Sequence, residues 1–93
     1  MTISNNIGSK NLIGMGGSKS SVNLNDLTTS QTLYWTAANK GGITNKPFDA
    51  AGFCFVIADG NRVVQFVANA AGEFAYRTCF SGTFSNWKQF SVS

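Results

Sequence analysis

The sequence has 93 residues, 43% hydrophobic, 13% aromatic and 12% charged, with seven Lys and Arg against four Asp and Glu. That length makes one domain, near the lower end of what folds alone, and no apolar run is long enough to span a bilayer as a helix. The net charge of +3 is scattered over Lys10, Lys19, Lys40, Lys46, Lys88, Arg62 and Arg77, which argues against a nucleic-acid binder, whose cations gather on one stripe.

Eight Phe, two Tyr and two Trp can build a compact core in a short chain, because each ring buries a large area. The sparse charge leaves a surface of Ser, Thr, Asn, Gly and Gln, as in many extracellular or particle-borne β-proteins. Met1-Thr-Ile-Ser-Asn-Asn has neither the basic start nor the apolar core of a signal peptide. The chain is therefore expected to be soluble, without membrane insertion, and to fold in a reducing cytosol. Cys54 and Cys79 are expected to be free, buried thiols acting as small hydrophobes. A disulfide between neighbouring strands is the geometric alternative.

In chain order, residues 1–22 are rich in Ser, Asn, Gly and Lys around a small apolar island, Leu12, Ile13 and Met15. Gly14, Gly16 and Gly17 break regular structure there, so the segment reads either as flexible or as a contact ordered beside other copies. A domain of residues 23–93 follows. Asn23 or Asn25 can cap one helical turn that buries Leu24 and Leu27. Thr32 to Thr36 is β-prone, with Leu33 and Trp35 on one face and Tyr34 on the other. Residues 37–51, with Gly41, Gly42 and the only proline, Pro47, read as a long loop of the kind that carries binding surfaces.

A meander occupies Gly52 to Phe90. Phe53 to Ile57 is almost continuously apolar, as expected of a strand covered on both faces. Asp59-Gly60 is a hairpin signal; as a two-residue loop it sets Ile57 against Arg62, Phe55 against Val64 and Phe53 against Phe66, the last pair serving as a core anchor, with Cys54 opposite Gln65. Asn69 to Glu73 makes a looser turn. Phe74, Tyr76, Thr78 and Phe80 share one face of the next strand, and Ala75, Arg77 and Cys79 the other. Ser81-Gly82-Thr83 turns again, and Trp87 to Val92 reads as a closing strand.

Catalytic chemistry finds little support. The chain has no histidine, which removes Ser-His-Asp and Cys-His nucleophile systems and most zinc sites. Asp26, Asp49, Asp59 and Glu73 are dispersed and suggest no acid–base pair. Gly14 to Lys19 lacks the spacing of a phosphate loop. No cofactor, metal or enzymatic activity is expected. Binding remains: Tyr34, Trp35, Tyr76, Phe84 and Trp87 can offer an aromatic platform, although Trp35 and Trp87 are better read as core. Tyr34 and Phe84 are the ring candidates for ligand contact, Lys40, Asn45 and Lys46 the loop candidates, and Arg77 the candidate partner of an acidic group, unless it pairs with a carboxylate or covers a ring face.

Six pieces in order, Asn23-Leu24-Asn25-Asp26-Leu27-Thr28-Thr29, Tyr34-Trp35, Gly52-Phe53, Asn61-Arg62-Val63-Val64-Gln65, Tyr76-Arg77-Thr78 and Gly82-Thr83-Phe84-Ser85-Asn86-Trp87-Lys88, together resemble the knob domain of R-type pyocin and tailed-phage tail fibres. Phe84 stands where that family carries Trp, and both cysteines are atypical of it. The resemblance covers residues 23–92. It implies a mainly β fold, a small antiparallel meander or sandwich-like knob with one short helical turn, set in a homotrimer. It further implies a place in the tail fibre of a virion or phage-tail-like particle made in the bacterial cytoplasm, with other tail proteins and a bacterial surface glycan or lipopolysaccharide as partners. In that frame the motif residues are fold determinants. Two other roles stay open: a fibre spacer or trimerisation knob without ligand, and, more remotely, a single-stranded nucleic-acid module.

Overall fold

The structure is a computed structural model and describes residues 17–90; the island at Leu12, Ile13 and Met15 lies outside them. The described residues hold eight strands: β1 (Val22–Asn23), β2 (Gln31–Trp35), β3 (Ile43–Thr44), β4 (Gly52–Ala58), β5 (Arg62–Ala68), β6 (Phe74–Phe80), β7 (Thr83–Phe84) and β8 (Lys88–Gln89). An antiparallel sheet runs β2-β4-β5-β6-β7, and β8 shares the outer edge of β6 with β7. The mainly β meander expected from the sequence is thus observed. The closing strand is the short Lys88–Gln89, beyond which residues 91–93 lie outside the described part.

The helical turn expected at Leu24 is a 3-10 turn, Leu24–Asp26, capped by Asn23, whose Oδ1 accepts the Asn25 N–H at 3.0 Å. The 37–51 segment holds a second 3-10 stretch, Ala37–Gly42, and then β3. β3 pairs in parallel with β1, and Ser18 bridges Tyr34 on the free edge of β2. The sheet's contacts therefore begin before residue 23, and β1 itself spans the 22/23 boundary.

The β1–β3 pairing brings two backbones unusually close. A Cβ on Gly42 would stand 2.0 Å from the Ser20 carbonyl oxygen, a backbone atom that cannot swing aside. Gly42→Ala is expected to lower stability by about 1–3 kcal/mol, the usual range for forcing extra volume into a packed site, read as a fall in the thermal unfolding midpoint.

The first hairpin turns one residue later than Asp59-Gly60 suggested. The Asp59 N–H donates to the Arg62 carbonyl at 3.0 Å, so Gly60 and Asn61 are the central residues. Gly60 has φ +81° and Asn61 is not left-handed, which is the type II′ pattern. The one-residue shift moves every partner by two: Phe53 pairs with Ala68, Cys54 with Val67, Phe55 with Phe66 and Ile57 with Val64. Side chains keep their expected faces because the shift is even.

The core lies on one face of the sheet: Trp35, Leu24, Leu27 and both cysteines are buried as expected, while the expected cover over Phe53 and Phe55 is not observed among the described residues. The inner face carries Leu33, Trp35, Cys54, Val56, Val63, Val67, Ala75 and Cys79, all buried. Leu24, Leu27, Ile43 and Phe48, brought by the 3-10 turn and the 37–51 segment, join the same core. On β4, β5 and β6 the small and branched inner-face residues Cys54, Val56, Val63, Val67, Ala75 and Cys79 leave room for this cover. The outer face carries the rings instead: Phe53 is 43% exposed, Phe55 42%, Phe80 64% and Phe90 49%. Phe53–Phe66 is therefore neither a pair nor a core anchor. On the outer face Phe74 stacks on Phe66 and Phe90, and Phe90 stacks on Tyr76.

Candidate functional site

The resembling motifs converge on one buried cluster of the inner face. Gln65, fully buried, lies between Val63 and Val67 on β5. Its Nε2 donates to the carbonyls of Leu24 at 2.7 Å and Leu27 at 3.0 Å. Those two acceptors belong to the 3-10 turn, whose terminal carbonyls need partners from outside the turn. Gln65 Oε1 accepts the Nε–H of Arg77 at 2.8 Å. The guanidinium carbon of Arg77 stands 4.0 Å from the centroid of Phe84 and 4.7 Å from that of Trp87, within cation–π range. Trp87 Nε1 donates to the Asn45 carbonyl at 2.8 Å, and Asn45 Nδ2 donates to Asn23 Oδ1 at 2.7 Å. One chain of contacts therefore links the motif pieces at Asn23–Leu27, Gln65, Arg77 and Phe84–Trp87.

The broken edge strand makes this geometry. β7 and β8 pair with the two ends of β6. Between them Ser85 holds Thr78, its N–H donating to the Thr78 carbonyl at 2.7 Å and its hydroxyl accepting the Thr78 N–H at 3.0 Å. The departure of the chain around Asn86 lets Trp87 fold back over Arg77. Phe84 supplies the nearer ring.

Arg77 is only 5% exposed, and its Nη2 is buried without a hydrogen-bond partner. Burial pulls the guanidinium pKa below its ordinary value, against smaller opposing effects from Cys54 and Cys79; an arginine stays cationic regardless. No carboxylate faces it among the described residues; ring faces and Gln65 hold the charge. Arg77 is thus placed to hold elements together rather than to meet a solvent-borne acid.

The other sequence candidates are spread over the molecule. Tyr34 is half-buried on the outer face, 6.0 Å from Phe53 between ring centroids. Phe84 is half-buried against Arg77. Lys40, Asn45 and Lys46 share the 37–51 segment. Lys40 Nζ meets the Asp49 carboxylate and carbonyl, both at 3.3 Å, and Lys46 Nζ donates to the Ile43 carbonyl at 3.1 Å. Asn45 is exposed, with φ 64°, a conformation Asn tolerates better than most residues. The structure brings these three onto one segment and leaves Tyr34 on the other side of the sheet. Gln65 is the residue sequence reasoning missed: a lone amide at a core-facing position between two valines was its signal.

An open depression of about 270 Å³ at the first hairpin is lined by Ile57, Ala58, Asp59, Arg62 and Val64. Its two charges satisfy each other, with Arg62 Nη2 2.6 Å from Asp59 Oδ2, and this pairing holds the Asp59 carboxyl below its ordinary pKa. The cysteines are free and buried. They sit on β4 and β6 with β5 between, roughly 10 Å apart across the strands alone, which is beyond disulfide reach. Burial pushes the Cys54 thiol up to about 12, so it stays protonated and unreactive near neutrality. Among the described residues no three His, Cys, Asp or Glu cluster as metal ligands.

No family model matches the chain, and no curated protein matches it. Two solved structures do. The R1 pyocin fibre of P. aeruginosa superposes with TM-score 0.78 and 23% identity over 95% of this chain. The R2 pyocin fibre of the same organism superposes with TM-score 0.75 and 26% identity over 82%. The chain spans about a quarter of each fibre chain, 24% and 22% respectively. The resemblance read from the motifs is therefore met by a shared fold that includes nearly all of the chain.

Proposed function

We propose that the chain is a module of the tail fibre of a phage or pyocin-like particle, working as a non-enzymatic homotrimer that attaches the particle to a bacterial surface glycan such as lipopolysaccharide. The observation that carries this reading is the fold shared with two pyocin fibres, at TM-scores of 0.78 and 0.75. Its neighbours in such a particle are other tail-fibre and tail proteins. The glycan contact is assigned to the 37–51 segment, where Lys40, Asn45 and Lys46 lie together on a loop held to the core by Trp87. Loops on a rigid β scaffold suit recognition, and amide and ammonium groups can donate to sugar hydroxyls and phosphates. Tyr34 and Phe84 are the accessory ring candidates; Arg77 is left out because its guanidinium is buried.

The test is saturable binding of the intact chain to bacterial cells and to lipopolysaccharide extracted from them. Lys40→Ala combined with Lys46→Ala is expected to weaken binding at least tenfold while the circular dichroism spectrum is unchanged. An intact oligomer that binds no cell and no glycan extract would overturn attachment and leave the role of a fibre spacer.

A further inference from the structure

We infer that the outer face of the sheet is the contact surface between copies of this chain, so that Phe53, Phe55, Ile57, Phe66, Phe80 and Phe90 are buried against other copies. The inference rests on the trimeric reading above and assigns it a surface. The continuous apolar run Phe53 to Ile57 is the pattern of a strand covered on both faces. Among the described residues of one copy, only the inner face has cover. The alternate residues Phe53, Phe55 and Ile57 stay 42–49% exposed.

The area agrees. A whole aromatic side chain buries roughly 150–250 Å², so the four most exposed phenylalanines, at 42–64%, leave roughly 300–500 Å² of ring open. Ile57 and the half-buried Val64, Phe66, Phe74 and Tyr76 of the same face add to this. The total passes the ~300–600 Å² of the largest patch on an ordinary monomer and nears the ~800 Å² that each partner gives to a standard interface.

Charge selects the occupant. Each copy carries +3, so self-association requires a face nearly free of cations. The outer face carries two cations at its margins: Arg62 at the hairpin end, paired with Asp59, and Lys88 opposite Tyr76 on the short edge strand β8; its centre holds rings and aliphatic side chains. The first sixteen residues hold six apolar side chains, Met1, Ile3, Ile7, Leu12, Ile13 and Met15, none of them aromatic, a poor match for a field of stacked rings. A second and third copy bring the same rings back to the face, and three sheets turned toward one axis enclose them.

The experiment is sedimentation velocity of the intact wild-type chain, Phe55→Glu, Phe80→Glu and a control, Thr28→Glu, placed at an exposed position off this face, each with its far-ultraviolet circular dichroism. Wild type and Thr28→Glu are expected to sediment as trimers. Phe55→Glu and Phe80→Glu are expected to sediment as folded monomers, with the dissociation constant raised at least 100-fold. Phe80, at 64% exposure, packs little within its own copy, so its variant reports on association even where Phe55→Glu fails to fold. A folded Phe80→Glu that remains trimeric would overturn the assignment of the face and leave the trimer standing. A monomeric wild type would overturn both. A trimer that binds no glycan would leave this inference intact while removing the attachment role.

Discussion

Gln65→Leu is expected to cost about 2–4 kcal/mol of stability, since it removes a buried hydrogen bond to a charged group and two to backbone carbonyls. Leucine fills most of the glutamine's volume, so the loss is polar rather than steric. The carbonyls of Leu24 and Leu27 lose the amide that donates to them, and the Nε–H of Arg77 loses its acceptor. Each orphaned neutral group costs about 1–3 kcal/mol and a charged one more. Adding Arg77→Met to Gln65→Leu removes the stranded cation and is expected to recover at least ~1 kcal/mol, although the Leu27 carbonyl still lacks the amide and the Leu24 carbonyl keeps only the Leu27 N–H. Urea unfolding at a fixed chain concentration measures both, since association would make stability concentration-dependent. A cost below ~1 kcal/mol for the single variant would mean that the amide contributes little to seating the 3-10 turn.

Trp35→Ala is expected to destabilise by about 3–5 kcal/mol, as for other large-to-small core truncations. Trp35 is among the largest fully enclosed side chains. Its ring lies against Gly52, where an added Cβ would stand 3.0 Å from the indole, and its Nε1 donates to the Ala50 carbonyl at 2.8 Å. It therefore fills the inner face and pins the far end of the 37–51 segment together. A domain of this size holds only about 5–14 kcal/mol in total, so the variant is expected to be unfolded or near its transition at 37 °C. Trp35→Phe keeps most of the ring and loses the donor, and is expected to cost about 1–2 kcal/mol. Equal losses for the two variants would assign the residue's role to the hydrogen bond alone.

What the sequence showed and what it hid follow from the range of the signals. The alternation over Phe74–Phe80 separates two faces, and the structure keeps that separation. Asn23, Leu24 and Leu27 announce the capped turn, because a cap and its apolar partners are local. The identity of the core face was not local. Both faces of β4 are apolar, so the choice depends on which of them the 3-10 turn and the 37–51 segment cover, and those contacts join residues roughly 15–40 positions apart. The Phe53–Phe66 pairing suggested a core anchor on the aromatic face; the covering layer instead packs on the face of Trp35, Cys54 and Val56.

The hairpin register slipped by one turn position because Asp59-Gly60 and Gly60-Asn61 are both plausible turn centres, and a glycine in first place accommodates the second. The parallel β1–β3 pair, with Gly42 pressed on Ser20, has no local signature: two-residue strands carry no periodicity. Arg77 looked like a possible ligand group because a cation between apolar neighbours reads the same whether it faces solvent or lies under rings. Lys40, Asn45 and Lys46 were placed on one loop by sequence alone, and the structure shows that loop tethered at Ala50 by Trp35 and at Asn45 by Trp87.

The proposed assembly of copies through the aromatic face joins the fibre reading to the open sheet, and static light scattering of the unaltered chain tests that self-association most directly. One copy has a mass of 9.9 kDa. A molar mass three times that value, held on dilution through the micromolar range, is the expected result; 9.9 kDa at every concentration would contradict it.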